Sequence, residues 1–472
     1  MIKNRTAIVA LLTGLNFINY LDRFILAAVL PRVQEPVEKG GLGLSNFEGG
    51  LLATVFLLGY FVTAPLFGRL GDAMSRKRLI AAGVLCWSVA TVFSGFAGQL
   101  GTLIVARAFV GIGEASYATL APTIIDDITP PDKKGKTLAI FFLAVPVGSA
   151  CGYLLGGFLQ EAWGWREAFY VAGGPGVALA LLCLLIDEPE RHAKRSNRRS
   201  TEIKGATMTL ARIPLYRRAV LGYCAHTAAI GAFAYWGPKF LSQRFFTDFA
   251  DSWFAPTAAR VDELWRMWIV EPTLATSTQY VVLVDQLAKG GDAVLKAGNF
   301  WFGSVTVVAG ALGTVVGGRM ADKALRGLPT VPVDAPHTDH RNRLAANAQL
   351  RVCAIGVAIA APLSAAAFFA PSPLLFFTLA GIAEVGLFLS TAPINAILLR
   401  TAPVYLRASA MAVAIFAIHL FGDLWSPPLV GLLLDYLIPA LAMMALPLGF
   451  AIAWAVWWPR QREAEGRDDQ HA

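Results

Sequence analysis

Apolar residues fill long stretches of the chain, and polar ones gather between them. Runs of about 20 mostly apolar residues, enough to cross a hydrocarbon layer roughly 30 Å thick, recur from end to end. Twelve such runs are centred near residues 18, 57, 89, 115, 149, 177, 229, 308, 359, 387, 420 and 447. Several contain Gly or Pro, which membrane helices tolerate better than soluble ones. The pattern predicts an all-α membrane protein with twelve transmembrane helices.

Composition agrees: of 472 residues 56% are hydrophobic and 15% charged, with a mean hydropathy of +0.55. The first run is too long for the apolar core of a cleaved signal and carries a charged pair, so it is expected to be a retained span. The five cysteines (Cys86, Cys151, Cys183, Cys224, Cys353) all fall within spans without CxxC spacing, a pattern of small packing residues rather than disulfides or a metal site. Most of the 40 Lys and Arg lie on loops sharing one side with the termini. By the positive-inside rule both termini are expected in the cytoplasm, with the chain in the cell (inner) membrane. On this reading the basic run RHAKRSNRRS (Arg191–Ser200) is a solvated anchor, and nucleic acid is not an expected partner.

The polar stretch 187–214 separates residues 1–186 from 215–460, with a tail at 461–472, and the two halves repeat each other. GIGEASYATLAPTIIDDITPPDKKGKTLA (Gly111–Ala139) and GIAEVGLFLSTAPINAILLRTAPVYLRASAMA (Gly381–Ala412) both run Gly-Ile-x-Glu, then Ala-Pro, then Thr and Pro before a basic loop. GRLGD (Gly68–Asp72) and GRMAD (Gly318–Asp322) match at equivalent places. Two six-helix, pseudo-symmetric bundles with a path between them near the midplane are therefore expected. Residues 238–297, with Trp253, Trp265 and Trp268, form a long loop on the side away from the termini, either short surface helices or a lid.

Charged groups within spans cost roughly 2.5–3.5 kcal/mol each on insertion scales. Asp22, Arg23, Arg107, Glu114, Glu384, His419 and Asp423 all sit there, which points to a wet interior. In NFINYLDRFILAAVLP (Asn16–Pro31) a 100° helical period puts Asn16, Asn19, Tyr20 and Arg23 on one stripe with Asp22 on its flank, so the Asp22–Arg23 doublet is expected to border water. Arg107 and Glu114, seven apart, share a face, with an ion pair between them as one reading. His419, Asp423 and Ser426 form another stripe. Burial favours the protonated form of a carboxylate and a nearby guanidinium the charged form. Asp22 and Glu114 are thus candidates for proton coupling, and Arg23, Arg107, Glu384, His419, Asn19 and Tyr20 for binding substrate. In GRLGDAMSRKR (Gly68–Arg78), Gly68 lets two span ends approach while Asp72, Arg76 and Arg78 can latch the cytoplasmic face, as can Asp322 in the second copy.

That loop resembles the loop motif of the major facilitator superfamily, and Arg107 with Gly111 and Gly113 resembles its fourth-helix motif. Ala73 and Met74 depart from the usual polar residues of the loop. GSACGYLLGG (Gly148–Gly157) is similar to the antiporter motif but lacks its Gly-Pro pair, so it is read as a helix-packing stripe. NFINYLDRF, SNFEGGLLATVFLLGYFVTAPLFGRLGD, RAFVGIGEASYATLAPTIIDD, AYWGPKFL and HLFGDLWSPPLVG together resemble the Spinster family, and the short tails fit a prokaryotic member. The resemblance implies a major facilitator fold, export of lysolipids or sphingoid phosphates with proton dependence in some members, and roles for Asp22, Arg23, Arg107, Glu114, Glu384 and His419. A monomeric proton-coupled carrier of small amphipathic molecules, without cofactor or metal, is expected. The alternatives are a proton antiporter for lipophilic cations and a non-transporting membrane sensor. No P-loop, GxSxG or HExxH points to an enzyme.

Overall fold

A computed structural model describes residues 2–129, 134–188, 207–245, 274–326, 328–329, 340–403 and 406–458. Side chains 274–294, 407–409 and several elsewhere within helices lie outside the described ones, as do the RHAKRSNRRS run, Trp253, Trp265, Trp268 and the tail.

The first half contains α1 (Arg5–Val33), α2 (Asn46–Ala73), α3 (Arg76–Gly95), α4 (Leu100–Ile128), α5 (Lys134–Ala162) and α6 (Trp165–Leu184). The second contains α7 (Pro214–Arg244), α8 (Leu274–Leu325), α9 (His340–Phe368), α10 (Pro373–Phe388), α11 (Thr391–Thr401), α12 (Arg407–Ile418), α13 (Ser426–Tyr436), α14 (Pro439–Met443) and α15 (Ala445–Trp457). Spans ten, eleven and twelve are each broken: α10 and α11 at Ser390, α12 and α13 around His419–Asp423, and α14 and α15 at Met444.

Local chemistry sets the starts. The Asn4 side chain accepts from Thr6 and Ala7 N–H at the head of α1. Ser45 and Glu48 form a reciprocal capping box at the head of α2. Eleven described spans are apolar enough to cross a membrane by length and composition. The remaining one, α7, is 31 residues long but carries Arg217, Arg218, His226, Lys239 and Arg244. It packs against α1, α13 and α15, so much of its surface meets protein rather than lipid.

The same packing scheme appears twice. In the first half α2 packs on α4, α3 on α4 and α3 on α6; in the second α8 packs on α10, α9 on α10 and α9 on α15. The halves meet along α2–α13 and α5–α8. The Gly148–Gly157 run is a packing stripe as expected: a Cβ at Gly152 would lie 2.6 Å from the Leu21 carbonyl oxygen of α1. The loop expected over 238–297 is shorter than the sequence suggested. α7 runs through Pro238 to Arg244, because membrane-depth packing tolerates an internal proline, and helix resumes at Leu274. On the face holding residue 2, Ile2 N–H donates to Leu185 O (2.6 Å) and Asp187 N–H to Ile2 O (3.1 Å), which ties the N-terminus to the end of α6. We call this the terminal face and the one holding the α1–α2 connection the loop face.

Candidate functional site

The charges of the first half converge where α1, α2 and α4 meet. A Cβ at Gly111 would lie 2.0 Å from the Phe56 carbonyl oxygen, so glycine there lets α4 lie directly against α2. That contact sets the Phe56 ring between two cations, with the guanidinium carbons of Arg23 and Arg107 at 4.8 and 5.1 Å from its centroid. Arg23 also lies over Tyr20 (4.9 Å) and Tyr60 (5.8 Å).

Glu114 pairs with Arg23, whose Nη2–H donates to Oε2 at 2.7 Å. The pairing weighed from spacing, Glu114 with Arg107, is therefore not the hydrogen-bonded one. Seven-residue spacing gives a shared face but not the neighbouring helix that answers it. Arg107 is 1% exposed, and its Nε and Nη1 have no hydrogen-bond partner. Its ionisable surroundings are Glu114, Asp22 and Arg23, with the neutral Tyr235 phenol of α7 beside them.

The doublet divides. Arg23 keeps 23% of its side chain exposed, whereas Asp22 is 0% exposed and neither carboxylate oxygen has a hydrogen-bond partner. Of the doublet expected to border water, Asp22 is sealed from it and Arg23 alone keeps some exposure. Successive side chains on a helix point 100° apart, which sends Asp22 into the first bundle beside Trp87, Arg107 and Glu114. Asn19 is buried with a free Nδ2, and Asn16 donates to Phe141 O at 2.9 Å.

In the second half, Glu384 accepts from Thr306 Oγ1 at 3.2 Å and its Oε2 is unpartnered. It lines a narrow apolar cavity walled by Phe233, Phe368, Phe376 and Phe450. His419 and Asp423 lie 3.1 Å apart in a wide helical turn closed by Leu424 N–H to His419 O. His419 faces the Tyr60 ring edge-on at 6.2 Å, so it meets the Arg23 end of the cluster across the halves. Ser426 is buried with its hydroxyl unpartnered.

Arg76 donates to Asp127 Oδ2 (2.7 Å) and Thr123 Oγ1 (3.2 Å) of α4 and to Glu188 Oε1 (3.3 Å) just past the end of α6. Gly68 lies against Thr119. Arg78 and Asp322 are exposed, and the Asp72 side chain lies outside the described ones. Tyr60, Phe56, Trp87, Tyr235 and Lys239 escaped the sequence reading. For Phe56, Tyr60 and Tyr235 the signal is their place beside the charges in SNFEGGLLATVFLLGYFVTAPLFGRLGD and AYWGPKFL; Trp87 lies outside those blocks and has no such signal.

Two pseudo-symmetric six-helix bundles enclosing an acid–base cluster at mid-span define a major-facilitator-type membrane carrier. The Major Facilitator Superfamily model matches residues 12–333. The chain is 33% identical over 435 residues to protein spinster of Drosophila melanogaster, covering 90% of this chain and 61% of that protein. It is 32% identical over 441 residues to human protein spinster homolog 1, covering 91% and 73%. A bacterial homolog of a human lysosomal transporter, Spinster, solved inward-facing and occupied, superposes with a TM-score of 0.71 at 20% identity over 97% of each chain. A D-xylose–proton symporter superposes at 0.66 with 16% identity over 98% of each. The chain belongs to the Spinster family of major facilitator transporters. It spans about three fifths of the Drosophila relative's length.

Proposed function

We propose that the chain is a proton-coupled carrier of amphipathic, anionic molecules of the lysolipid or sphingoid-phosphate kind, working by alternating access with both termini cytoplasmic. The observation that carries this reading is Arg107: a buried guanidinium with unpartnered donors, flanked by an aromatic ring and two acids. A phosphate oxygen meeting those donors would supply what the site lacks, because an unsatisfied buried donor is costly. Arg23 is engaged by Glu114, so protonation of Glu114 would release a second cation toward the substrate. Asp22, beside both Arg107 and Glu114, would carry charge changes within the cluster. His419 and Tyr60 carry the cluster's state to the second half. Gating by the Gly68–Arg78 loop would act through its grip on α3 and α4.

One observation favours a second reading, an antiporter for lipophilic cations: an unpartnered carboxylate oxygen of Glu384 stands among aromatic rings, the chemistry that recognises an apolar ammonium, although the cavity of about 20 Å³ would have to widen to admit one. In proteoliposomes challenged with lysophospholipids and with lipophilic cations, Arg107→Ala is expected to lose anionic substrates by at least about tenfold, the worth of one charge-assisted contact. Retained anion transport with loss of cations in Glu384→Gln would favour the second reading instead.

A further inference from the structure

At the loop face α2 begins with an incomplete set of caps. The first turn of a helix leaves its N–H groups without intrahelical partners. Ser45 Oγ takes the Glu48 N–H at 3.2 Å, and Glu48 returns to the Ser45 N–H at 2.8 Å. The Asn46 and Phe47 N–H groups are answered from the other half of the molecule. They donate to Oδ1 and Oδ2 of Asp435, each at 3.0 Å.

Asp435 sits in the last turn of α13, where a negative charge is unfavourable to its own helix because that end carries partial negative charge. The position becomes favourable only when the positive end of α2 lies against it. Three other features join the halves here. Lys239 of α7 donates to Gln34 Oε1 (2.5 Å) and Asn46 Oδ1 (2.6 Å), and Tyr235 Oη–H to Gly49 O (2.6 Å). The α2 and α13 backbones touch, since a Cβ at Gly50 would lie 2.5 Å from Pro428 Cα.

We infer that Asp435, supported by Lys239, is a fastener between the two halves that holds the loop face closed by capping the first turn of α2. When that face opens, the helix end loses its carboxylate and Asp435 keeps only the unfavourable field of α13. The contact therefore stabilises one face-state over the other, which is what shifts a two-state equilibrium. The inference rests on alternation between two faces but not on any substrate.

The test is a spin-label distance between Glu38→Cys and Leu437→Cys in a background lacking the five native cysteines, measured on the full chain in lipid nanodiscs. Asp435→Ala is expected to raise the long-distance, open population about two- to fivefold, the worth of one helix-end charge, and Lys239→Met to act in the same direction. Gly50→Leu wedges the interface and reports whether opening occurs at all. Opening in Gly50→Leu with wild-type distances in Asp435→Ala and Lys239→Met overturns the fastener, and so does a lowered melting temperature in Asp435→Ala without any change in distance. A single distance in every variant overturns the fastener together with the alternation it rests on.

Discussion

Asp22 is the residue whose burial most constrains the account. A carboxylate with 0% exposure and no hydrogen-bond partner gives the fold little stability in return for its desolvation. Asp22→Asn should therefore leave the melting temperature within about 2 °C of the parent or above it, while abolishing the response of transport to a pH gradient. A fall of more than about 5 °C would make the group a structural anchor. Hydropathy alone marked this residue and its charged companions, since any ion inside an apolar run stands out. It did not reveal that Arg23, rather than Arg107, holds Glu114, because helical spacing orders residues on one helix and says nothing of the facing one. Lys239 and Asp435 are illegible in the sequence for a related reason: near span ends they look like ordinary solvated charges.

Among the elements, the start of α3 is pinned to the end of α6. Burial disfavours the charged Glu188 carboxylate, but hydrogen bonds from Ser75, the Arg76 N–H and the Arg76 guanidinium outweigh it and hold the group below its ordinary 4.5. A lowered folded-state value means stability that is complete above the unfolded value and lost as pH falls through the folded one. Thermal melts should weaken between about pH 5 and 3, and Glu188→Gln should flatten that decline. Equal pH slopes in both proteins would remove Glu188 from the account. Charge alone marks Arg76 as a latch candidate; its pairing with Asp127 and Glu188 depends on where α4 and α6 end, which the loop sequence does not show. The wide turn at His419–Asp423 left no trace in the periodicity, as one extra residue per turn is invisible in a single helix's pattern. Span count and the two-half organisation were legible because bilayer thickness fixes run length and the repeat copies its motifs.

For the molecule as a whole, the two halves form an interface in which a charged cluster in the first half meets His419 and Tyr235 of the second. Charge on that cluster can thus be felt by both bundles, the condition for linking proton movement to which face is open. On the proposed function coupling and translocation are separable: exchange of substrate across a vesicle membrane would need only rocking, whereas uphill accumulation would need the proton. The most direct measurement is a paired assay of Glu114→Gln and parent protein in vesicles loaded with a lysophospholipid, comparing equilibrium exchange with accumulation driven by a pH gradient. The variant is expected to keep exchange and lose accumulation. Gradient-driven accumulation at the parent's rate would contradict that.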